Sequence, residues 1–202
     1  MAKLKAPLLS LGASGAIGKA IVYFPWKGLD VAREYVVPAN PQSDAQVDQR
    51  GYLTAAVARI HAAQQRDPDG LDADDQIAYA LLGSTYPTPR TWFNQLVKGQ
   101  VDLLVAEETG LFLCNGAVAK DVASQLTFSG KLYSALSVAG KLYWGVSKTN
   151  MPNSIAADAV VGDISAVASP TVKGTKYYLQ WRITAGEGSD GMRSGIYHAT
   201  SI

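Results

Sequence analysis

An α+β fold is expected from three observations. Aromatic and β-branched runs around a Lys27-Gly28 turn mark a hairpin near the N-terminus. From Gln42 to about Glu108, apolar residues recur at helical spacing. From Leu111 onward, short alternating runs are punctuated by Gly and Pro. Helices followed by strands, without βα alternation, place the chain outside the parallel α/β class. The expected organisation is a Gly-rich arm and β-hairpin over 1–41, a helical segment over 42–110, and an antiparallel β-sandwich over 111–202.

Each element has a local reason. Ala20 to Trp26 is an apolar run of strand length, and Leu29 to Val37 is its partner. In the second run Leu29, Val31, Arg33, Tyr35 and Val37 share a face. Pro25 lacks a ladder donor, so its strand is expected at an edge or with a bulge. Ser43 or Asp44 caps the next helix, whose stripe is Val47, Leu53, Ala56, Val57 and Ile60. That helix stops near Arg66, because Asp67-Pro68-Asp69-Gly70 is a turn. Asp72 and Asp75 stand at capping-box spacing ahead of a short helix over Ile77 to Leu82, and Gly83 ends it. Thr91 to about Glu108 is a third helix with Phe93, Leu96, Val97, Leu103 and Leu104 inward, weakened by Gly99. The expected strands of the last stretch are Leu132–Val138, Lys141–Ser147, Val160–Val167, Lys176–Ala185 and Arg193–Thr200.

The 202 residues are enough to bury a core without a staple, and a single cysteine, Cys114, permits no intrachain disulfide. Lys+Arg 18 against Asp+Glu 17 gives a net charge of +1, too balanced for bulk electrostatic capture of DNA or an anionic membrane. It also gives little repulsion between copies, which suits a surface covered by neighbours. No apolar run has transmembrane length, and Gly12, Gly15 and Gly18 interrupt the one run near the N-terminus that resembles a signal sequence. The chain reads as made and folded in the cytoplasm.

Several patterns invite chemistry and decline it. Gly12, Gly15 and Gly18 match a dinucleotide-binding fingerprint, but that fingerprint needs a strand before it and a full helix after it. Pro25 and the β-branched residues around it deny the helix. Ser14 lies between small residues but not in a nucleophile-elbow pattern. Asp67, Asp69, Asp72, Asp74 and Asp75 are dense enough for a cation, yet no bidentate Glu closes the loop and Gly70 is misplaced for an EF-hand. Turn and helix-dipole roles account for them. Cys114 is expected to be a buried thiol, His61 a helix-surface residue, and His198 a cross-strand partner. No catalytic residue, cofactor or metal is expected. Tyr23, Phe24, Trp26 and Tyr35, with Arg33 and Lys27 among them, could stack nucleic acid but read rather as a core or an interface.

Two resemblances add to this reading. Gly174 through Ala185, then Gly188, Gly191 and Arg193 to Tyr197, resemble the last two strands of a fibronectin type III-like domain, with a Tyr near the start of the first strand. Tyr177, Leu179, Trp181 and Ile183 would then face one side and Tyr178, Gln180, Arg182 and Thr184 the other. Separately, the Trp26-Lys27-Gly28 hairpin and the segment from Val37 through Asn40, Pro41 and Gln42 to Arg50 are similar to small proteins of tailed phages and prophages. That similarity implies a virion structural protein, a capsid decoration or tail component. It would be made in the bacterial cytoplasm and would assemble with itself and other virion proteins, without sequence-specific nucleic acid or membrane. Tyr23, Phe24, Trp26, Arg33 and Tyr35 are the expected contacts. A carbohydrate- or receptor-binding module is the alternative, and a nucleotide-dependent reductase a more distant one.

Overall fold

The computed structural model describes residues 2–4, 14–37, 39–40, 42–120, 122–184, 189 and 192–202. The chain divides into two units, Met1–Ser43 and Asp44–Ile202. The mixed α+β class is as expected, with helices and antiparallel sheets.

The first unit is a four-stranded sheet of β1 (Ala2–Leu4), β2 (Gly15–Ile17), β3 (Ile21–Trp26) and β4 (Leu29–Glu34), in the order β1-β4-β3-β2. The β3–β4 hairpin closes on Lys27 and Gly28, at φ 49° and 77°. Two successive positive φ values give the turn whose twist matches the strands, which is why a glycine stands there. The expected hairpin is therefore present, but β3 is an inner strand and not an edge. Trp26 pairs with Leu29 across the turn, so Pro25 opposite Asp30 is a non-hydrogen-bonded position whose missing donor points away from β4. On that side β2 reaches only from Ile21 to Tyr23, so Pro25 interrupts no ladder bond.

The second unit joins three helices to a seven-stranded sandwich. The helices are α1 (Asp44–Gln65), α2 (Ala73–Gly83) and α3 (Trp92–Val105). Asp72 caps α2 in a full capping box with Asp75, and Thr91 accepts from the Asn94 N–H to start α3. The buried stripe of α1 is Ala56, Ile60 and Ala63, whereas Val47 and Leu53 are exposed. The expected stripe holds only at its C-terminal end, where α1 lies against α3. In α2 the buried face is Ala78, Tyr79 and Leu82, with Ile77 outside.

The sandwich strands are β5 (Leu113–Ala119), β6 (Leu126–Leu132), β7 (Gly140–Gly145), β8 (Asn153–Ala156), β9 (Asp163–Ala168), β10 (Lys176–Ile183) and β11 (Tyr197–Thr200). One sheet runs β5-β6-β9 and the other β11-β10-β7-β8. Between them lie Leu126, Phe128, Leu142, Leu179 and Trp181, all inaccessible to solvent. Alternation along β10 puts Tyr177, Leu179, Trp181 and Ile183 inward, as period-two spacing predicts. The Tyr177 hydroxyl accepts from the Val172 N–H at 3.0 Å. That is a tyrosine corner, the tie of a β-sandwich between the loop before this strand and its start.

Strand limits differ from expectation where other groups capture the backbone. Leu132 ends β6 instead of opening a strand, and the next N–H, on Tyr133, donates to Phe112 O at 2.9 Å. The last strand begins at Tyr197 rather than Arg193, because the Ile196 N–H donates to Ala78 O of α2. Gly195 permits that approach: a Cβ there would sit 2.8 Å from the Ala78 carbonyl carbon. Among the described residues, no helix is long and apolar enough to cross a membrane.

Gly99 stands in the middle of α3 with nothing within 4 Å of where a Cβ would be. Gly99→Ala is expected to stabilise the second unit by about 1 kcal/mol through helix propensity alone. An upward shift of the urea midpoint at unchanged slope checks this.

Candidate functional site

In the first unit, pairing determines which expected contact residues meet. Cross-strand partners share a face, so Trp26 with Leu29, Phe24 with Val31, and Val22 with Arg33 form one surface. The Arg33 guanidinium lies 5.3 Å over the Phe24 ring, and the Lys27 ammonium 5.9 Å from the Trp26 ring. Trp26 is 51% exposed and Leu29 46%. Among the described side chains of this face, only Val31 is buried. Tyr23 falls on the opposite face, paired with Ala32. Tyr35 lies past the end of β4, where its N–H donates to Ala20 O at 2.8 Å. Phe24, Trp26 and Arg33 are thus brought together, while Tyr23 and Tyr35 stand apart from them. Within the glycine-rich stretch, Gly15 opens strand β2 and Gly18 lies in a turn, so neither sits at a helix N-terminus. Gly12 lies outside the described residues.

In the second unit the chemistry-bearing groups converge on Asp75, which is fully buried. β5 carries a bulge between Cys114 and Ala117, with Asn115 at φ 50°. The bulge frees two N–H groups from the ladder. Both donate to Asp75, from Asn115 at 2.7 Å and Gly116 at 2.9 Å. The Tyr197 hydroxyl donates at 2.5 Å and the Asp72 N–H at 3.2 Å. Burial pushes the Asp75 carboxyl up, against the pull of these donors. The neighbouring Tyr79 hydroxyl donates to Leu113 O at 3.0 Å and accepts from the Leu113 N–H at 3.1 Å. Burial, followed by nearby negative groups, holds both tyrosines well above the ordinary phenol value. The same burial pushes the Cys114 thiol up to about 12, so it carries no thiolate at neutral pH. Asp75 is bonded to β5 and to Tyr197 of β11, and Tyr79 to the Leu113 backbone, an arrangement that ties α2 to β5 and β11.

The remaining aspartates serve turns and ion pairs. Asp69 accepts from Lys131 Nζ at 2.9 Å and from the Asn115 side-chain amide at 3.1 Å. Among the described residues, no three His, Cys, Asp or Glu side chains are grouped to hold a metal ion. His61 is exposed on α1, and His198 pairs across the strands with Tyr178, its ring 6.1 Å away.

A cavity of about 440 Å³ opens between α2, α3 and the segments at Leu111–Phe112 and Met192–Arg193. Its wall is mostly apolar, and Gln95 and Gln100 are its buried polar groups. The Gln100 amide nitrogen donates to Leu111 O at 2.8 Å, and its Oε1 has no partner among the described residues. The helical spacing of α3 marks Gln100 as inward, but its cavity is formed by segments far apart in sequence. Comparison with protein-family models, with curated proteins and with solved structures finds no match to this chain.

Proposed function

We propose that the chain is a non-enzymatic structural protein of a tailed-phage particle, a capsid decoration or tail component that assembles through its N-terminal sheet. The observation behind this reading is the surface formed by Val22, Phe24, Trp26, Leu29 and Arg33. A four-stranded sheet this small holds itself poorly when its apolar face is open to water. Trp with Arg is also the pairing that most often carries interface energy, through large rigid area and planar hydrogen bonding. A net charge of +1 opposes the approach of further copies only weakly. The same chemistry supports partners of its own kind and neighbouring virion proteins.

The test is the mass of the purified protein by light scattering after size exclusion, with negative-stain images of the same fraction. The wild type is expected as a closed ring or tube, whose symmetry separates head from tail placement. Trp26→Ala is expected to fall to the 21.4 kDa of one chain with its far-ultraviolet spectrum unchanged. Wild-type protein that stays at single-chain mass at all concentrations, or a Trp26→Ala assembly of unchanged size, overturns this reading.

A further inference from the structure

Among the described residues, the paired strand positions on the outer face of the β11-β10-β7-β8 sheet carry charge of one sign. Lys141 of β7 stands opposite Arg182 of β10, and Arg182 stands opposite Arg193 on the other side. Paired residues of antiparallel strands project from the same face, about 5 Å apart. Three cations therefore lie in a row across three adjacent segments of chain. Like charges placed directly opposite destabilise a sheet. The usual remedy is a carboxylate between them, but among the described residues Lys141, Arg182 and Arg193 take part in no ion pair.

The rest of this face continues the pattern. Farther along β10 and β11 lie Lys176, Tyr178 and His198, and the positions between are filled by Gln180, Tyr143, Ser154 and Thr200. Among the described residues, the paired strand positions of this face hold no Asp or Glu, and Asp158, just past β8, is engaged by the Gly140 N–H at 3.0 Å. The Arg182 guanidinium is already oriented. It lies 4.5 Å over the Tyr143 ring, and its Nε donates to Gln180 Oε1 at 2.9 Å. Gln180 is itself buried and fixed by a bond from its amide nitrogen to Ser194 O at 3.0 Å. That leaves the two terminal nitrogens of Arg182 as a fork without an acceptor among the described residues, the geometry that takes a carboxylate, sulfate or phosphate in two parallel bonds. Burial, and then the charge of Arg193, lower the Arg182 pKa from its ordinary value, the signature of a cation held against its neighbours.

We propose that the row Lys141–Arg182–Arg193 binds the anionic groups of an acidic polysaccharide. The neutral groups beside the row are hydroxyls, on Tyr143, Ser154, Tyr178 and Thr200, which pair with sugar hydroxyls. The ring faces on which a nucleobase would stack are occupied, that of Tyr143 by Arg182 and that of Tyr178 by Lys176 at 5.3 Å. The row is also three cations long, suited to a few spaced charges rather than to the dense phosphates of a duplex.

The experiment is titration of the full chain with polygalacturonate at low and physiological salt, with single-stranded DNA of matched total charge alongside. Binding that weakens with salt is expected for the wild type. Arg182→Gln and Arg193→Gln are each expected to bind about tenfold more weakly, the cost of one charge-assisted hydrogen bond. Lys98→Gln removes the same charge from α3 and is expected to bind like the wild type. Unchanged thermal midpoints show that the variants are folded. Absence of polygalacturonate binding at low salt overturns the proposal. So does equal weakening by all three substitutions, which would mean bulk charge, and so does DNA binding as tight as that of the polysaccharide.

Discussion

Asp75→Ala is expected to destabilise the second unit by about 3–5 kcal/mol, enough to leave a typical domain marginal. The substitution removes one carboxylate and strands four donors: the N–H groups of Asn115, Gly116 and Asp72 and the Tyr197 hydroxyl. Water cannot replace the carboxylate freely, because Asp75 has no exposed surface. Asp75→Asn is expected to cost nearly as much. Each carboxylate oxygen accepts two bonds, Oδ1 from Gly116 and Tyr197 and Oδ2 from Asn115 and Asp72, so an amide NH₂ would face at least one backbone N–H either way round: two at the Oδ2 position, and Gly116 at the Oδ1 position, where only the Tyr197 hydroxyl can turn to accept. Tyr197→Phe removes one donor along with its partner bond and is expected to cost only about 1–2 kcal/mol. Urea unfolding of the four proteins checks the ranking. The pH dependence has a defined sign. Burial raises the Asp75 pKa in the folded state, so the folded protein holds the proton to higher pH than the unfolded chain does. The stability contributed by this group is full below the ordinary aspartate value. It is lost as pH rises through the higher folded value, and the loss is absent in Asp75→Asn. A wild-type protein whose stability difference from Asp75→Asn is flat across that window would show that Asp75 does not titrate as described.

The fate of Asp75 shows how far the sequence could be read. Its spacing from Asp72 announces a capping box, and the structure contains that box. The other three donors come from 40 to 122 positions away, and nothing local announces them. Asn115-Gly116 carries the letters of a turn, so β5 is not legible from its own residues. In the fold those residues form a bulge inside a strand, because Asp75 offers their N–H groups an acceptor that the neighbouring strand does not. β8 is equally hidden, since all of its residues are exposed and it shows no burial alternation. β10 stands at the other extreme. Its alternation of Tyr177, Leu179, Trp181 and Ile183 is intrinsic, and it folds as read. The hairpin turn is legible for the same reason, because Lys27-Gly28 is a local conformational requirement. The division of Phe24, Trp26 and Arg33 from Tyr23 also follows from period-two alternation once the register is known. The cation row is not legible, because Arg182 and Arg193 meet across a backbone bridge whose register no local pattern specifies.

Gly140 and Trp181 are expected to behave as one unit, and their coupling is the second large effect. Trp181 is the largest fully buried side chain, and its indole N–H donates to Ala157 O at 2.6 Å. Trp181→Ala is expected to cost about 3–5 kcal/mol, the sum of lost transfer energy and a cavity that the two sheets cannot close. Gly140 lies beneath the same ring. A Cβ there would stand 2.3 Å from Cζ2 and 2.6 Å from Nε1 of the indole, so Gly140→Ala forces the ring or the strand to move. The strand is tied on both sides of that point: the Gly140 N–H donates to Asp158 at 3.0 Å and its carbonyl accepts from Ala157 at 2.8 Å. Overpacking at such a site costs about 1–3 kcal/mol. The atoms in conflict, however, all belong to the part of the indole that leucine lacks. In a Trp181→Leu background the added methyl of Gly140→Ala fills space instead of colliding. The double variant is therefore expected to be more stable than the sum of the two single losses allows, by more than about 1 kcal/mol. Denaturant unfolding of the four proteins gives the coupling directly. Additivity within about 0.5 kcal/mol would mean that the backbone at Gly140 yields without moving the ring, and the close approach of glycine to indole would then not be what holds a glycine at this position.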